Sequence, residues 1–224
     1  MDVKLVSYSQ PTAEFEDLGI GDAQELIAFC ARVSNPSNQF NTETSEKLIK
    51  YLVKHKHWSP LEMVSACLEI TTTRDIARQI LRHRSFSFQE FSQRYADPTT
   101  DLNFVLREAR LQDTKNRQNS IETDDEDLQE RWKKWQNNVI SEARMAYKWA
   151  IDNGIAKEQA RAVLPEGLIE SKLYMNGTLR SWVHFIELRS ANGTQKEHQE
   201  IAKTCADVIS KVFPLMSGFV ETES

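Results

Sequence analysis

The sequence predicts an α+β fold in which a small antiparallel sheet packs with several helices, one of them long and in the second half. Two observations lead to this fold class. Short segments of alternating apolar residues are separated by segments with helical apolar spacing. These elements do not follow the regular strand–helix order of a parallel α/β sheet. We find no internal repeat and no linker, so we expect one domain over residues 1–224.

The first half of the chain contains two predicted strands and three predicted helices. Residues 63–72 alternate so that Val64, Ala66, Leu68 and Ile70 share one side, which is typical of a strand with one buried face. The predicted strands cover residues 3–8 and 63–72. The predicted helices cover residues 23–33, 44–56 and 74–83.

The second half is dominated by a long helical pattern over residues 128–153, which Gly154 is expected to end. Residues 97–121 before it are polar and irregular. The acidic run over 122–130 is expected to be a solvated loop entering the helix, where acids are favoured. The remaining predicted elements are a short helix over 156–164, a strand over 168–176 and helices over 179–188 and 196–212.

Large side chains and thiols within these elements have simple expected roles. Trp132, Trp135 and Trp149 recur at helical spacing, so we expect them to anchor the core or a subunit interface. Cys30 and Cys205 lie on apolar helix faces and the third cysteine lies in a strand. None has a neighbouring His or Arg in sequence, so we expect small core residues and no cysteine nucleophile.

The composition excludes several classes of protein. Only seven glycines occur and none lies between residues 22 and 153, which excludes a glycine-rich phosphate loop and a dinucleotide fingerprint. The net charge of −5 argues against a nucleic-acid partner. The three cysteines lack metal or redox spacing, so no metal is expected. No apolar leader or membrane-length apolar run occurs, which predicts a cytoplasmic protein without a membrane partner.

The candidate chemistry concentrates in residues 74–95, which hold five arginines against two acids inside the acidic chain. If a helix continues to residue 83, Gln79, Arg82 and His83 share about one quadrant of its surface. Arg84 would then mark the helix end. Aromatic residues interleave with these charges and suggest a lined cleft, and they lie at positions 86, 88, 91 and 95.

This window predicts a pocket for an anion or a nucleotide, because the arginine fork suits phosphate, carboxylate or an imide edge. From the residues alone, a solvated arginine face and a groove for single-stranded nucleic acid remain alternatives. Two pairs on later helices have an equally simple interpretation. Glu158 with Arg161, and Arg180 with His184, have the spacing of surface pairs along one helix.

The order Arg82-His83-Arg84, then Ser87, Glu90, Ser92, Arg94 and Tyr95, resembles the signature of flavin-dependent thymidylate synthases. The resemblance continues through residues 31–34, 57–60 and 188–189, and covers most of the chain except about residues 98–150. Gln89 and Gly193 depart from the family pattern, which commonly has asparagine and histidine there. A flavin or nucleotide enzyme of another reaction class remains an alternative.

The resemblance implies an activity and its partners. The implied reaction is the reductive methylation of dUMP to dTMP. It uses FAD as hydride carrier, methylenetetrahydrofolate as carbon donor and NADPH as reductant. The resemblance also implies a homotetramer with active sites at the subunit interfaces.

The same resemblance implies the roles of individual residues. Arg189 would lie at the uracil edge and stabilise negative charge on the ring, and His57 is the second implied catalytic residue. The implied dUMP contacts are Gln79, Arg82, Glu90, Phe91, Ser92, Gln93, Arg94, Arg161 and Arg189. The implied FAD contacts are His57, Ser59, Glu62, Arg82, His83, Arg84, Glu90, Arg180 and His184.

Overall fold

A four-stranded antiparallel sheet lies at the centre of the computed structural model, which describes residues 1–220. The strands of the chain are β1 (Asp2–Tyr8), β2 (Ser65–Thr73), β3 (Ser87–Glu90), β4 (Arg110–Gln112), β5 (Ser120–Glu122) and β6 (Glu170–Thr178). The large sheet has the order β1-β2-β6-β3, and β4 pairs with β5 in a separate hairpin. Strand β6 therefore lies between β2 and β3 and joins both by antiparallel pairing.

Helices of very different lengths surround this sheet. In the described part of the chain they are α1 (Ala13–Asp17), α2 (Ala23–Ala31), α3 (Ser45–Lys54), α4 (Arg74–Ile80), α5 (Pro98–Asp101), α6 (Glu126–Asp152), α7 (Lys157–Ala160), α8 (Leu179–Ser190) and α9 (Lys196–Ser210). Short 3-10 turns occur at Pro36–Asn38, Ser59–Glu62, Arg161–Val163 and Pro214–Phe219. The α+β class with a small antiparallel sheet and one long late helix is thus confirmed.

The main core forms between one face of the sheet and the helices. The apolar side chains of β2 predicted to share a face, Ala66, Leu68 and Ile70, are at most 1% exposed. Leu173 and Met175 continue this face on β6 and are fully buried. Helices α2, α3, α4, α8 and α9 contribute the other side of the same apolar cluster. Burial of this cluster supplies the main stabilising free energy of the fold.

The long helix begins and ends as the sequence predicts. Asp125 is the N-cap of α6, and its carboxylate accepts a hydrogen bond of 2.9 Å from the backbone N–H of Leu128. Glu126 and Asp127 occupy the first turn, where the helix dipole favours acids. Gly154 follows the helix with a φ of +76°, a conformation that glycine adopts without strain.

The tryptophans of α6 do not lie in the core. Trp132, Trp135 and Trp149 are 42%, 66% and 63% exposed, so the expectation of core anchors is wrong. The helix buries Gln136, Ala143, Tyr147 and Ala150 instead. Of the two roles expected for the tryptophans, the subunit interface remains a prediction.

The polar segment over 97–121 is more regular than its sequence suggests, since it contains α5, β4 and the start of β5. No helix within residues 1–220 combines the length and apolar character needed to span a bilayer. The same described residues hold no group of three or more His, Cys, Asp or Glu side chains placed to bind a metal ion.

Candidate active site

Helix α4 presents two adjacent rows of polar side chains. Arg74 and Arg78 are one turn apart and form the first row, and Asp75 and Gln79 form the second. Consecutive positions differ by about 100°, so the rows face different neighbours. Ile76, Ala77 and Ile80 occupy the opposite side and are fully buried. The apolar side thus packs on the core, and each polar row faces a different group of side chains, described below.

The helix is shorter than expected and ends at Ile80. The backbone N–H groups of Arg82 and His83 bond three residues back, to the carbonyls of Gln79 and Ile80. Arg82, His83 and Arg84 therefore lie on the turn between α4 and β3. The expectation that Gln79, Arg82 and His83 share one helical quadrant is wrong, and so is the expectation that Arg84 marks the helix end. We call residues 81–86 the arginine turn.

Phe86 anchors the arginine turn in the core. It is 9% exposed and lies edge-on to Trp182, with ring centroids 4.8 Å apart. Its ring lies against Gly177 of β6, where an added Cβ atom would come within 2.3 Å of it. The expectation of an aromatic cleft is thus wrong for Phe86, which belongs to the core, whereas Tyr95 is 83% exposed.

The first candidate cluster forms where the arginine turn meets the end of α8. Arg189 Nε donates a hydrogen bond of 2.9 Å to His83 Nε2. The side chains of Arg82 and Arg84 are exposed and make no hydrogen bond or ion pair within residues 1–220. We call Gln79, Arg82, His83, Arg189 and His198, which are connected by contacts or by the effect of one charge on another, the Arg189 cluster, and we include Arg84 as the neighbouring residue of the arginine turn.

The histidines of the Arg189 cluster are held neutral. Burial, followed by the Arg189 charge, lowers the pKa of His83 to about 4. Burial, with Arg189 and His83 adding to it, lowers the pKa of His198 to about 3. Burial and the nearby Arg82 charge also lower the pKa of Arg189 below its usual range. No carboxylate of the described chain pairs with these arginines, so the cluster has the charge of an anion-binding site.

The second candidate cluster surrounds the end of β3. Glu90 accepts hydrogen bonds of 2.8 Å from Arg78 Nη1 and 2.7 Å from Ser171 Oγ. Beside it lies a cavity of about 380 Å³. Its lining residues are Arg74, Arg78, Gln93, Glu158, Arg161, Ala162, Leu164 and Glu166. We call this group, together with Glu90, Phe91, Ser92 and Arg94, the Arg161 cluster.

Two buried donors of the Arg161 cluster lack hydrogen-bond acceptors. Arg74 is 6% exposed and Gln93 is 3% exposed. Arg74 Nη1 lies 3.6 Å from Glu90 Oε1, beyond hydrogen-bond distance, and neither it nor Gln93 Nε2 has a hydrogen-bond partner. Unpaired buried donors are costly, so their place in the lining of a cavity favours a ligand rich in acceptors.

Glu158 and Arg161 do not form the ion pair expected from their spacing. Arg161 Nε donates to the backbone carbonyl of Glu158 at 3.3 Å, whereas the Glu158 carboxylate pairs with Arg94 Nε at 3.4 Å. The Ser92 hydroxyl accepts from the backbone N–H of Arg94 at 3.3 Å, which shapes the loop after β3. The charge of Arg161 thus has no carboxylate partner in the described chain.

Apart from His57 and Glu90, the residues with implied flavin roles outside the arginine turn lie along α8 and the 3-10 turn Ser59–Glu62. Glu62 forms an ion pair with Arg180, so the expected pairing of Arg180 with His184 is wrong. The His184 ring lies edge-on to Trp58 with centroids 4.7 Å apart. His57 is exposed and its ring centroid lies 6.2 Å from that of Tyr51.

The expected dUMP residues fall into two groups within one chain. Gln79, Arg82 and Arg189 belong to the Arg189 cluster, whereas Arg94 and Arg161 belong to the Arg161 cluster. Within residues 1–220, no hydrogen bond or ion pair connects these two sets of side chains. We refer to these two sets, each with more arginines than carboxylates, as half-sites.

Sequence reasoning missed several residues that support the half-sites. Arg74 and Arg78 had one available signal, their spacing of one helical turn inside a helix with an apolar side. Gln195 had none, because its Oε1 accepts a hydrogen bond of 2.9 Å from Gln79 Nε2, a residue far away in the sequence.

The thiols offer no alternative nucleophile. Burial raises the pKa of Cys30, Cys67 and Cys205 above the usual range. Cys205 is fully buried and the other two are half-buried. Each thiol is thus held in its unreactive protonated form at neutral pH.

Comparison with known proteins gives consistent matches over most of the chain. Residues 19–215 match the family model described as thymidylate synthase complementing protein. A probable flavin-dependent thymidylate synthase from Paramecium bursaria Chlorella virus 1 is 48% identical over 214 residues, which cover 96% of each chain. A flavin-dependent thymidylate synthase from Synechocystis sp. is 45% identical over 225 residues, covering 99% of this chain and 100% of that one.

Solved structures share the fold as well. The UMP/dUMP methylase PolB from Streptomyces cacaoi bound with 5-Br UMP superposes with a TM-score of 0.80 at 24% identity, covering 97% of this chain and 92% of that chain. The same methylase bound with 5-Br dUMP gives a TM-score of 0.75 at 25% identity, with coverages of 97% and 93%.

Proposed function

The chain belongs to the family of flavin-dependent thymidylate synthases, and from this premise we propose that it methylates dUMP to dTMP. Methylenetetrahydrofolate would donate the carbon, NADPH would supply reducing equivalents and FAD would be the bound cofactor. The observation that carries this proposal is the Arg189 cluster, in which Arg82, Arg84 and Arg189 lie without a carboxylate partner in the described chain. Such a site calls for an anionic ligand.

The residues present fit a flavin dinucleotide. FAD carries a pyrophosphate, and the unpaired side chains of Arg82 and Arg84 could bind it without glycine-rich loops. Ser59, Arg180 and His184 would hold other parts of the cofactor along α8, with Glu62 orienting Arg180 by their ion pair. Bound FAD would supply the hydride that completes the methyl group.

The Arg161 cluster fits the phosphate of dUMP. Arg161 has no carboxylate partner in residues 1–220, and the donors Arg74 Nη1 and Gln93 Nε2 are buried without acceptors. A phosphate dianion would satisfy these donors and neutralise the excess positive charge. Glu90 is held by Arg78 and Ser171, so its carboxylate is oriented before dUMP binds.

Arg189 would activate the pyrimidine. Its Nε is committed to His83, so the remaining N–H groups of the guanidinium are available to the uracil edge. A fixed positive charge there stabilises negative charge on the ring and makes C5 a better nucleophile toward the methylene carbon. This role replaces a thiol nucleophile, in agreement with the raised pKa values of the three cysteines.

The active protein would be a homotetramer with dUMP bound between copies. Two features support this proposal. The two half-sites are not joined within one described chain. Helix α6 also exposes Trp135, Val139 and Trp149 on one side, an apolar strip that a second copy could cover.

The function is tested by following dTMP formation while FAD, NADPH, methylenetetrahydrofolate or dUMP is omitted in turn. We expect a yellow protein whose flavin absorbance falls with NADPH. We also expect dTMP only when dUMP, NADPH and methylenetetrahydrofolate are all added, and expect added FAD to be required only after the bound flavin has been removed. A colourless protein that takes up no FAD would contradict the proposal. NADPH oxidation without dTMP would indicate a flavin enzyme of another reaction class.

A further inference from the structure

A line of polar contacts runs from Gln79, away from the arginine turn, to a carboxylate on α9. Gln79 Nε2 donates to Gln195 Oε1 at 2.9 Å, and Gln195 Nε2 donates to Glu197 Oε2 at 2.9 Å. We propose that Gln195 and Glu197 are positioning residues that hold the Gln79 amide in one orientation toward dUMP. The proposal rests on the function proposed above.

Glu197 is the fixed end of this line. Its side chain is 12% exposed and lies 3.0 Å from Arg107 Nη1 and 2.5 Å from Arg110 Nη2. Burial raises the pKa of this carboxyl, but its own backbone N–H, Arg107, Gln195 and Arg110 together hold the pKa below the usual range. Glu197 is therefore ionised at neutral pH, and an ionised carboxylate can only accept hydrogen bonds.

Because the Glu197 carboxylate only accepts hydrogen bonds, it determines the orientation of both glutamine amides. A glutamine amide can turn over and exchange its donor and acceptor ends. Because Glu197 only accepts, the NH₂ group of Gln195 must face it and the Gln195 oxygen must face Gln79. The Gln79 NH₂ group then faces Gln195, and its oxygen faces His198 Nδ1 at 3.3 Å. One N–H bond of the Gln79 amide stays uncommitted with a defined direction.

The anchor of the line is itself rigid. Arg107 also donates to Asp75 Oδ1 at 2.8 Å, to Thr73 Oγ1 at 2.6 Å and to the Gly167 carbonyl at 3.2 Å. Asp75 and Gln79 form one row of α4. Asp75 bonds directly to Arg107, and Gln79 is connected through Gln195 to Glu197, which pairs with the same arginine. Such prior orientation lowers the entropic cost of aligning a ligand.

The test combines Glu197→Gln with a double-mutant cycle. A glutamine at 197 has nearly the same shape but can donate as well as accept, so it no longer dictates the orientation of Gln195. We expect the KM for dUMP of the FAD-loaded enzyme to rise about tenfold, the equivalent of one lost hydrogen bond, with a smaller change in kcat. In a Gln79→Ala background the same substitution should change KM less than twofold.

Gln195→Met provides a second variant, because it removes the linking amide and leaves Glu197 with both arginines. It should reproduce the KM increase and should likewise lose its effect in the Gln79→Ala background. Glu108→Gln is the matched control. Glu108 lies 3.2 Å from Arg110 and 2.7 Å from Lys196 Nζ, so the variant removes a carboxylate from the same arginine while Gln195 and Glu197 keep their hydrogen bond. Its KM should stay within twofold of the unsubstituted enzyme.

Calorimetric titration of the FAD-loaded protein with dUMP separates the possible failures. If Glu197→Gln and Gln195→Met bind dUMP as tightly as the unsubstituted protein does, the positioning role is wrong. The role is also wrong if Glu197→Gln and Gln195→Met lower the affinity for dUMP equally with and without the Gln79 side chain, since such losses would reflect a general structural effect. An unsubstituted protein that binds no dUMP would overturn the proposed function together with this inference.

Discussion

The neighbours of Arg189 determine both the direction of its guanidinium and its need for a bound anion. Its Nε donates to a neutral His83, which has no positive charge to repel it. Burial and Arg82 lower the pKa of its guanidinium, as expected for a cation held near another without a counterion. A bound anion would relieve this repulsion, and the uracil edge would share the remaining N–H groups.

Arg189→Lys should lower turnover strongly while leaving the flavin spectrum nearly unchanged. Lysine keeps the charge but loses the planar fork and the Nε donor to His83. We expect kcat for dTMP formation to fall roughly a hundredfold, the scale seen when one oriented donor to developing charge is removed. Steady-state rates and the FAD absorbance spectrum measure the two effects. Unchanged turnover would remove Arg189 from its proposed role.

His83 should make the protein less stable in mild acid. Its pKa is near 6.5 in the unfolded chain and about 4 in the folded protein, because burial and Arg189 disfavour the imidazolium. Between these values the unfolded state binds more protons, so the free energy of unfolding falls as the pH falls. Urea denaturation at pH 7 and pH 4.5 measures this loss. His83→Gln should lose less stability over the same interval, and an equal loss in both proteins would contradict the assignment.

At the scale of elements, the arginine turn depends on a contact between β6 and the residue before β3. Gly177 leaves space that the Phe86 ring fills, and an added Cβ atom would lie 2.3 Å from that ring. The ring cannot withdraw freely, because it also contacts Trp182 and Phe185. The position of Arg82, His83 and Arg84 is therefore set partly by a distant glycine.

Gly177→Ala should lower the free energy of unfolding by about 1–3 kcal/mol, the usual cost of overpacking a core. The cost should shrink in a Phe86→Ala background, where the ring is absent. Urea denaturation of the four proteins measures the coupling. Gly218→Ala is the control, because no atom lies within 4 Å of its added Cβ. If Gly177→Ala and Gly218→Ala lower the free energy of unfolding equally, the packing of Phe86 against Gly177 does not explain the loss.

The sequence predicted most elements, because local signals determine them. The alternation in β2, the acids at the start of α6 and the glycine after its end are examples. The end of α4 was misplaced because the helical spacing of its apolar residues includes Leu81, whereas the backbone N–H groups of Arg82 and His83 already bond three residues back. The short strand β3 was missed because its four residues obtain their order from pairing with β6. The line from Gln79 to Glu197 was hidden for the same reason, since its partners meet only in the folded chain.

At the scale of the whole molecule, the exposed side of α6 is the strongest sign of a further copy. Trp135→Glu combined with Trp149→Glu should convert the oligomer into smaller species and abolish dTMP formation, because charge would replace apolar contact. Both side chains are more than 60% exposed in one copy, so the chain should stay folded. Sedimentation velocity measures the size of the species, circular dichroism measures whether the chain stays folded, and the dTMP assay measures the activity.

Lys133→Glu is the control for this pair, since residue 133 lies on another side of the same helix. It should leave the sedimentation coefficient and the rate unchanged. A double tryptophan variant that keeps the size and activity of the unsubstituted protein would remove α6 from the interface.

In the proposed enzyme, two half-sites from different copies form one dUMP site, and this arrangement can be measured by subunit complementation. Arg189→Ala and Arg161→Ala should each abolish dTMP formation. Co-expression of both variants should restore roughly a quarter of the activity, because random mixing leaves that share of sites with both halves intact. If mixed oligomers form and dTMP formation stays at the level of the single variants, the shared site is contradicted.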